Sequence, residues 1–366
     1  MNLDSRGRQV GQVTRQLAEA RGPVPPFALV RRRHRRRAWR QVALVAAAVI
    51  TAAAVVTVQA RQQASEDVVS QPTSFGRVAA SIRIGGQLGV VRADAAGVWV
   101  QREREVVRVD PRTNRVTARL PMSPPGSELG AVGDGSLWLT QVAQGTVTRV
   151  DPATGQTVAT VRVPGAEAPR GIEVAVGPSA VWVAYDLGLG GGLIARVDPA
   201  TNTVAATVRI PDLAGGLAIG DRAVLVWTGT RSSVAYQIDP ATNRVAAKVP
   251  VCRGTNAVAS GAGAFWITCA EGTLLRVDPV AHRVVASVGL GGQAGSAGWV
   301  AADGSVVWVA NLGDTLFRVD SRSNTIVGSG SVTGSGGGYI TGLTVGSDAV
   351  WLTTSTGTLV RFDPDG

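Results

Sequence analysis

One phrase recurs seven times along this 366-residue chain. Its wording is roughly A-V-W-V, a gap, then L-x-R-V-D-P-x-T-N-x-V-x-A-x-V. The anchoring aspartates are Asp110, Asp151, Asp198, Asp239, Asp278, Asp320 and Asp363, spaced by 41, 47, 41, 39, 42 and 43 residues. The matching tryptophans are Trp99, Trp138, Trp182, Trp266, Trp308 and Trp351, and Leu225 stands in once. A period near forty with several short strands per unit is the signature of a β-propeller, because one such unit cannot bury its own apolar face and must pack on its neighbours.

The unit from Asn256 to Val288 shows how a repeat becomes a blade. Short apolar runs at 256–260, 264–268, 274–277 and 283–288 are separated by Gly261-Ala-Gly263, Glu271-Gly272 and Asp278-Pro279, which predicts four strands joined by hairpins. Aspartate opens turns and proline presets φ at the next position. The seven aspartates therefore read as turn-formers, not as catalytic acids or calcium ligands. The tryptophans lie mid-strand between apolar neighbours and read as fillers of the space between adjacent sheets. In the fourth unit Trp227 comes two places late, which keeps it on the same strand face as Leu225. The last turn, Asp363-Pro364, has no strand after it. Gly76–Ile84 resembles the outer strand Asn243–Val251, so the N-terminal strand is expected to complete the last blade and remove an exposed edge. The expected fold class is all-β: a seven-bladed β-propeller over residues 76–366, closed by its N-terminal strand and preceded by a single transmembrane helix.

The formal net charge is +10, and its location matters more than its size. Residues 1–40 hold eleven arginines against Asp4 and Glu19, residues 41–60 carry no charge, and the remainder is nearly balanced. The pI thus describes a basic tail and argues against a nucleic-acid-binding domain. The apolar run Val42–Val58 spans roughly 25 Å as a helix at 1.5 Å per residue. Extended to 41–60, it suits a membrane span. With Arg31–Arg40 on one side, the positive-inside bias puts residues 1–40 in the cytoplasm, residues 61–75 as a linker, and the repeats outside. The alternative is secretion after cleavage near Ala60. Either way the domain is exported, which permits a disulfide, and Cys252 and Cys269 are expected to form one that closes a seventeen-residue step. The tail's expected contacts are anionic lipid or a cytoplasmic protein.

Function in a propeller concentrates where the repeat is broken. The loops that vary most in length carry Arg102, Arg170, Tyr185, Asp186, Arg231, Arg253, Asn256, Glu271, Trp299, Asn311, Asp314 and Tyr339, the candidate ligand-binding residues. The two histidines do not join them: His34 is in the basic tail and His282 in an Asp-Pro turn. No Ser-His-Asp set or histidine-rich metal site can be assembled from these. The expectation is a binding module, with no catalytic residues, metal or cofactor, that takes a protein, peptide or cell-envelope ligand. A metal-assisted enzyme on the variable face and a signalling partner acting through the tail are the alternatives.

Segments such as GAGAFWITCAEGTLLRVDPVAHRVVASV and AVWVAYDLGLGGGLIARVDPATNTVAATVRI resemble the bacterial YncE-like, or YVTN-type, β-propeller repeat across residues 76–366. That resemblance implies a propeller serving as a binding or scaffold module. The repeats are also similar to the streptogramin lyase propeller, which implies chemistry with a histidine and a magnesium ion; the variable loops here carry no histidine. The arginine-rich tail and Ala/Val-rich span look like those of actinobacterial membrane-tethered proteins, some associated with sigma-factor signalling.

Overall fold

The computed structural model describes residues 75–229, 233–291, 297–333 and 338–364. The chain separates into two compact units, Met1–Ser70 and Gln71–Gly366, and the described residues fall in the second. The expected tail, membrane span and most of the linker lie outside the described residues. Among the described residues, no helix is long and apolar enough to cross a membrane.

The second unit is a seven-bladed propeller of four-stranded antiparallel sheets. Blade 1 comprises Leu88–Asp94, Gly97–Arg102, Glu105–Asp110 and Arg115–Pro121, in that order from axis to rim. The first strand of each blade packs on the first strand of the next, and that of blade 7 on that of blade 1, so the ring closes. The chain ends meet as expected: Arg77–Arg83 pairs antiparallel with Thr358–Asp363 and is the outer strand of blade 7. Phe75, just before it, lies against Trp308 and Phe362 at ring-centroid distances of 5.9 and 5.3 Å. A Cβ added at Gly328 would stand 2.4 Å from Phe75. The outer strand of blade 6, Thr325–Ser331, has glycine there because the aromatic ring occupies that space.

The Asp-Pro turn is a five-residue loop. Its aspartate Oδ1 accepts the N–H two residues on, at 2.8 Å for Arg112, Ala153, Ala200 and Ala241. The fifth residue is left-handed, with φ of +55° at Asn114, Asn202 and Asn243, +57° at Asn324 and +53° at His282. Asparagine tolerates this conformation better than most residues because its side chain bonds locally. Its N–H closes the loop on the aspartate carbonyl, as in Asn114 to Asp110 at 2.8 Å.

Each tryptophan fills a gap between blades. Trp99 is fully buried among Leu129, Leu137 and Leu139 of blade 2, and Trp351 closes the ring against Val98 and Val100 of blade 1. Blade 4 solves the same problem differently. Leu225 leaves a smaller wedge, and blade 5 answers with Phe265. Trp227 does not fill this gap: two residues displace it by roughly 6.6 Å along the strand. Its ring instead lies over Gly215 and Gly216, where an added Cβ would come within 2.4–2.5 Å.

The same repeat carries an inter-blade latch. The arginine before Val-Asp-Pro stands opposite the tryptophan in the sheet register, as Arg276 does Trp266. The outer strand has an irregular register at this Arg-Val step, a device that re-aims a side chain. Arg276 Nη1 donates to Ser321 O at 2.7 Å and Asn324 Oδ1 at 3.2 Å in the next blade's turn. Arg361 does the same across the closure, to Pro111 O at 2.6 Å and Asn114 Oδ1 at 3.4 Å. Where Gln237 replaces the arginine, His282 replaces the turn asparagine, and Gln237 Oε1 meets His282 Nδ1. Leu225, Gln237 and His282 are thus one coupled exception to the repeat. At the blade 1–2 junction Gly155 occupies the asparagine position, and Arg108 bonds Ala96 O at 2.6 Å in its own blade.

Candidate ligand-binding site

Antiparallel order sorts the connections onto two faces. The Asp-Pro turns and the first hairpin of each blade share one; the loops between second and third strands and the blade-to-blade connections share the other. The eleven described sequence candidates belong to the second face, and five of them serve the ring itself.

Arg102 donates Nε to Gly85 O at 2.9 Å and Nη1 to Glu105 Oε1 at 2.8 Å, while Arg119 reaches the same oxygen at 2.5 Å. Burial pushes the Glu105 carboxyl up, and the two guanidinium groups outweigh it, so the carboxyl stays below its ordinary range. Asn256 Nδ2 donates to Ala297 O at 2.6 Å, tying blade 5 to blade 6. Asn311 is buried and its Oδ1 accepts the N–H groups of Gly313 and Thr315. Asp314 accepts from Ser331 Oγ at 2.6 Å. Tyr185 is fully buried between blades 2 and 3, and no partner meets its hydroxyl among the described residues. Burial pushes that phenol well above its ordinary value. Arg170, Glu271 and Tyr339 are exposed, and Trp299 is half-buried on the axial strand Ala297–Asp303. Arg231 lies outside the described residues.

Two candidates come together. Asp186 and Arg253 line one cleft of about 870 Å³ that spans blades 3 to 5, with Asp212, Thr228 and Ser233 between them. Its size falls within the range of small-ligand sites. Asp186 ends the strand Val181–Asp186, and its Oδ1 accepts the Gly188 N–H at 2.7 Å, fixing the loop into a short 3-10 turn, Gly188–Gly190. Asp212 sits in the connection from blade 3 to blade 4. It accepts the Tyr236 hydroxyl at 2.5 Å through Oδ2. Burial first, and then the Asp212 carboxylate, push the Tyr236 phenol up to about 12, so it remains a donor at neutral pH. Each carboxylate therefore has one oxygen tied to its own scaffold.

Arg253 is held from the other side. Cys252 and Cys269 form a disulfide, Thr255 Oγ1 donates to Cys252 O at 3.4 Å, and Ala270 N–H donates to Gly254 O at 2.8 Å. These bonds fix both flanks of Arg253. Among the described residues no side chain pairs with its guanidinium. Sequence reasoning missed the connection Pro211–Gly215, which supplies Asp212. The signal available was an unpaired Pro-Asp outside any Asp-Pro turn, at a blade junction facing Asp186.

A second charged feature lies on the axial strands. Arg92 donates Nε to Gly130 O of blade 2 at 3.0 Å. Glu173 of blade 3 is open to water yet enclosed by the ring; burial pushes its carboxyl up, opposed by Arg92 and aided by Glu128. Among the described residues, no group of three or more His, Cys, Asp or Glu stands ready to hold a metal ion. His282, the one described histidine, is on the turn face.

The fold and this cleft define a β-propeller with a polar recess on its variable face. No known family model matches the chain, and no curated protein sequence matches it. Among solved structures it is similar to virginiamycin B lyase from Staphylococcus aureus, in a catalytically inactive histidine-to-alanine form with quinupristin. The identity is 15%, the TM-score 0.63, and the match covers 78% of this chain and 98% of that one. It is also similar to Kuenenia stuttgartiensis hydrazine synthase, at 14% identity and a TM-score of 0.60, covering 78% of this chain and 97% of that one. At these identities the likeness is one of fold.

Proposed function

We propose that this chain is a ligand-binding propeller, acting as a sensor or scaffold, and that it binds through the cleft between Asp186 and Arg253. The observation that carries this reading is the cleft's construction. Two carboxylates, two hydroxyls and a guanidinium with no side-chain partner among the described residues line one recess; hydrogen bonds fix the carboxylates from behind, and a disulfide holds the backbone beside the arginine. Preorganised polar groups in a concave site are what selective binding requires.

Binding is favoured over turnover by where the histidine lies. The lyase to which the fold is similar is inactive in a histidine-to-alanine form. Here His282 is on the turn face, engaged with Gln237, and the cleft contains carboxylates, hydroxyls and arginine instead. The basic segment 31–40 followed by the apolar run 42–58 supports an exported domain on a single-pass anchor, with the tail in the cytoplasm against anionic lipid or a regulatory protein.

The test is a thermal-shift survey of the full chain against small peptides and cell-envelope fragments. A ligand at one hundred times its Kd should stabilise the fold by about 2.7 kcal/mol. The triple variant Asp186→Asn, Asp212→Asn, Arg253→Gln should keep its own melting temperature and lose the shift. A ligand whose shift survives the triple variant would place binding elsewhere and defeat this reading.

A further inference from the structure

The lining of the cleft is ordered by charge around the ring. Asp186 closes the second strand of blade 3, and Asp212 follows in the connection to blade 4. Thr228 and Ser233 flank the next loop, and Arg253 stands in the connection to blade 5. Among the described residues, negative charge therefore occupies one end of the recess, hydroxyl groups the middle, and positive charge the other end. No ion pair joins the two ends: among the described residues the salt bridges are Arg102–Glu105, Arg119–Glu105 and Arg149–Asp134, none in this cleft.

That separation has a chemical meaning. Opposite charges free to meet would neutralise each other and leave nothing for a ligand. Here the two carboxylates and the backbone of Arg253 are each anchored to their own scaffold. Asp186 is held by Gly188, Asp212 by Tyr236, and the flanks of Arg253 by the disulfide. Asp186 Oδ2 and Asp212 Oδ1 accept no hydrogen bond from the described residues, and the planar guanidinium fork of Arg253 matches a carboxylate bidentately. A monoanion would meet two carboxylates, and a monocation would leave the arginine unpaired. The ligand that satisfies both ends carries a cationic group at one end and an anionic group at the other.

We propose that the cleft recognises a zwitterionic ligand, a short peptide with free termini, whose ammonium lies at Asp186 and Asp212 and whose carboxylate lies on Arg253. The middle of the recess suits such a chain, because Ser233 offers an exposed hydroxyl to a peptide amide group, while the buried Thr228 hydroxyl donates to Val234 O and is left only as an acceptor. This rests on the reading that the cleft is the binding site.

Four matched probes test it by titration calorimetry on the full chain: trialanine, N-acetyl-trialanine, trialanine amide, and N-acetyl-trialanine amide. Trialanine should bind best. Capping either end should weaken binding roughly tenfold, which corresponds to about 1.4 kcal/mol, and capping both should abolish it. In Arg253→Gln the free and amidated C-termini should bind alike, while the N-terminal preference survives. In the double variant Asp186→Asn, Asp212→Asn the converse should hold. Each variant's melting temperature, within 2–3 °C of the parent, shows that it is folded. Equal binding of all four probes, weakened by the variants, would overturn the zwitterion while leaving the cleft as the site. No binding of trialanine at millimolar concentration would overturn the zwitterion as well. Trialanine binding that ignores every cleft substitution would overturn both this proposal and the cleft itself.

Discussion

Replacing Arg276 by alanine tests whether the inter-blade latch holds the ring together. The side chain makes two kinds of contact. Nη1 donates to Ser321 O at 2.7 Å and Asn324 Oδ1 at 3.2 Å in blade 6, and the guanidinium carbon stands 5.5 Å over the Trp266 ring. Hydrogen bonds from a charged donor contribute about 1.5–3 kcal/mol net. Only one of these two is short, so the lower end applies. The ring contact adds about 0.5–1 kcal/mol. Arg276→Ala should therefore cost about 2–2.5 kcal/mol. Arg108 is the internal control. It stands 5.3 Å over Trp99, but its hydrogen bond goes to Ala96 O in its own blade and is exposed to solvent. Its removal should cost about 1 kcal/mol, mainly the ring contact and a solvent-screened bond. Urea unfolding of both variants, compared by midpoint at unchanged m-value, measures the difference. Arg276→Ala should be the less stable of the two by about 1–1.5 kcal/mol. Equal costs within about 0.5 kcal/mol would refute the idea that reaching the next blade's turn stabilises the ring beyond stacking on tryptophan.

Two other outcomes follow from the packing and the turns. Gly328→Ala should destabilise the closure by about 1–3 kcal/mol, since its Cβ meets Phe75 at 2.4 Å. In a Phe75→Ala background the same change should be nearly neutral; a full cost there, seen by denaturant unfolding, would show that the clash is not with Phe75. The turn aspartates Asp110, Asp151, Asp198, Asp239, Asp278 and Asp320 are held below their ordinary value, chiefly by backbone N–H donors. Because the folded values are depressed, their stabilisation is present above the unfolded value of about 3.9 and is lost as pH falls through the lower folded values. Melting temperature should therefore hold down to about pH 4 and then drop, and Asp→Asn changes in two of these turns should shallow that drop. An unchanged acid limb would remove the turns from the explanation.

The fold was legible because repetition amplifies weak local signals. A single Asp-Pro is only a turn, whereas seven turn aspartates at a period near forty, six of them followed by proline and six trailed by an alternating strand, specify blades. The orphan strand at the front was legible for the same reason, since Gly76–Ile84 matches Asn243–Val251 in pattern. The candidate residues were less legible. Asn256, Asn311 and Asp314 break the repeat, as ligand contacts would, yet their side chains are bonded to Ala297, to the Gly313 and Thr315 amides, and to Ser331. Tyr185 sits at the loop end of its strand, but the alternation of the strand turns it into the blade 2–3 packing. A residue that departs from the consensus can be repairing its own blade as readily as meeting a ligand, and one-dimensional pattern does not separate the two.

Local chemistry by itself determined the turns, the strands, the blade count and the closure, because each depends on residues near in sequence or identical from repeat to repeat. Only the tertiary structure decided what crosses between blades. It assigned the recurring arginine of Arg-Val-Asp-Pro to a latch on the next turn. It joined Leu225, Phe265, Gln237 and His282 into one compensated exception. It also gathered Asp186, Asp212 and Arg253, up to 67 residues apart in the chain, into one cleft. The physical reason is common to all three. Curvature around the ring sets which neighbouring blade a side chain meets, and that is a property of seven packed sheets rather than of any one repeat.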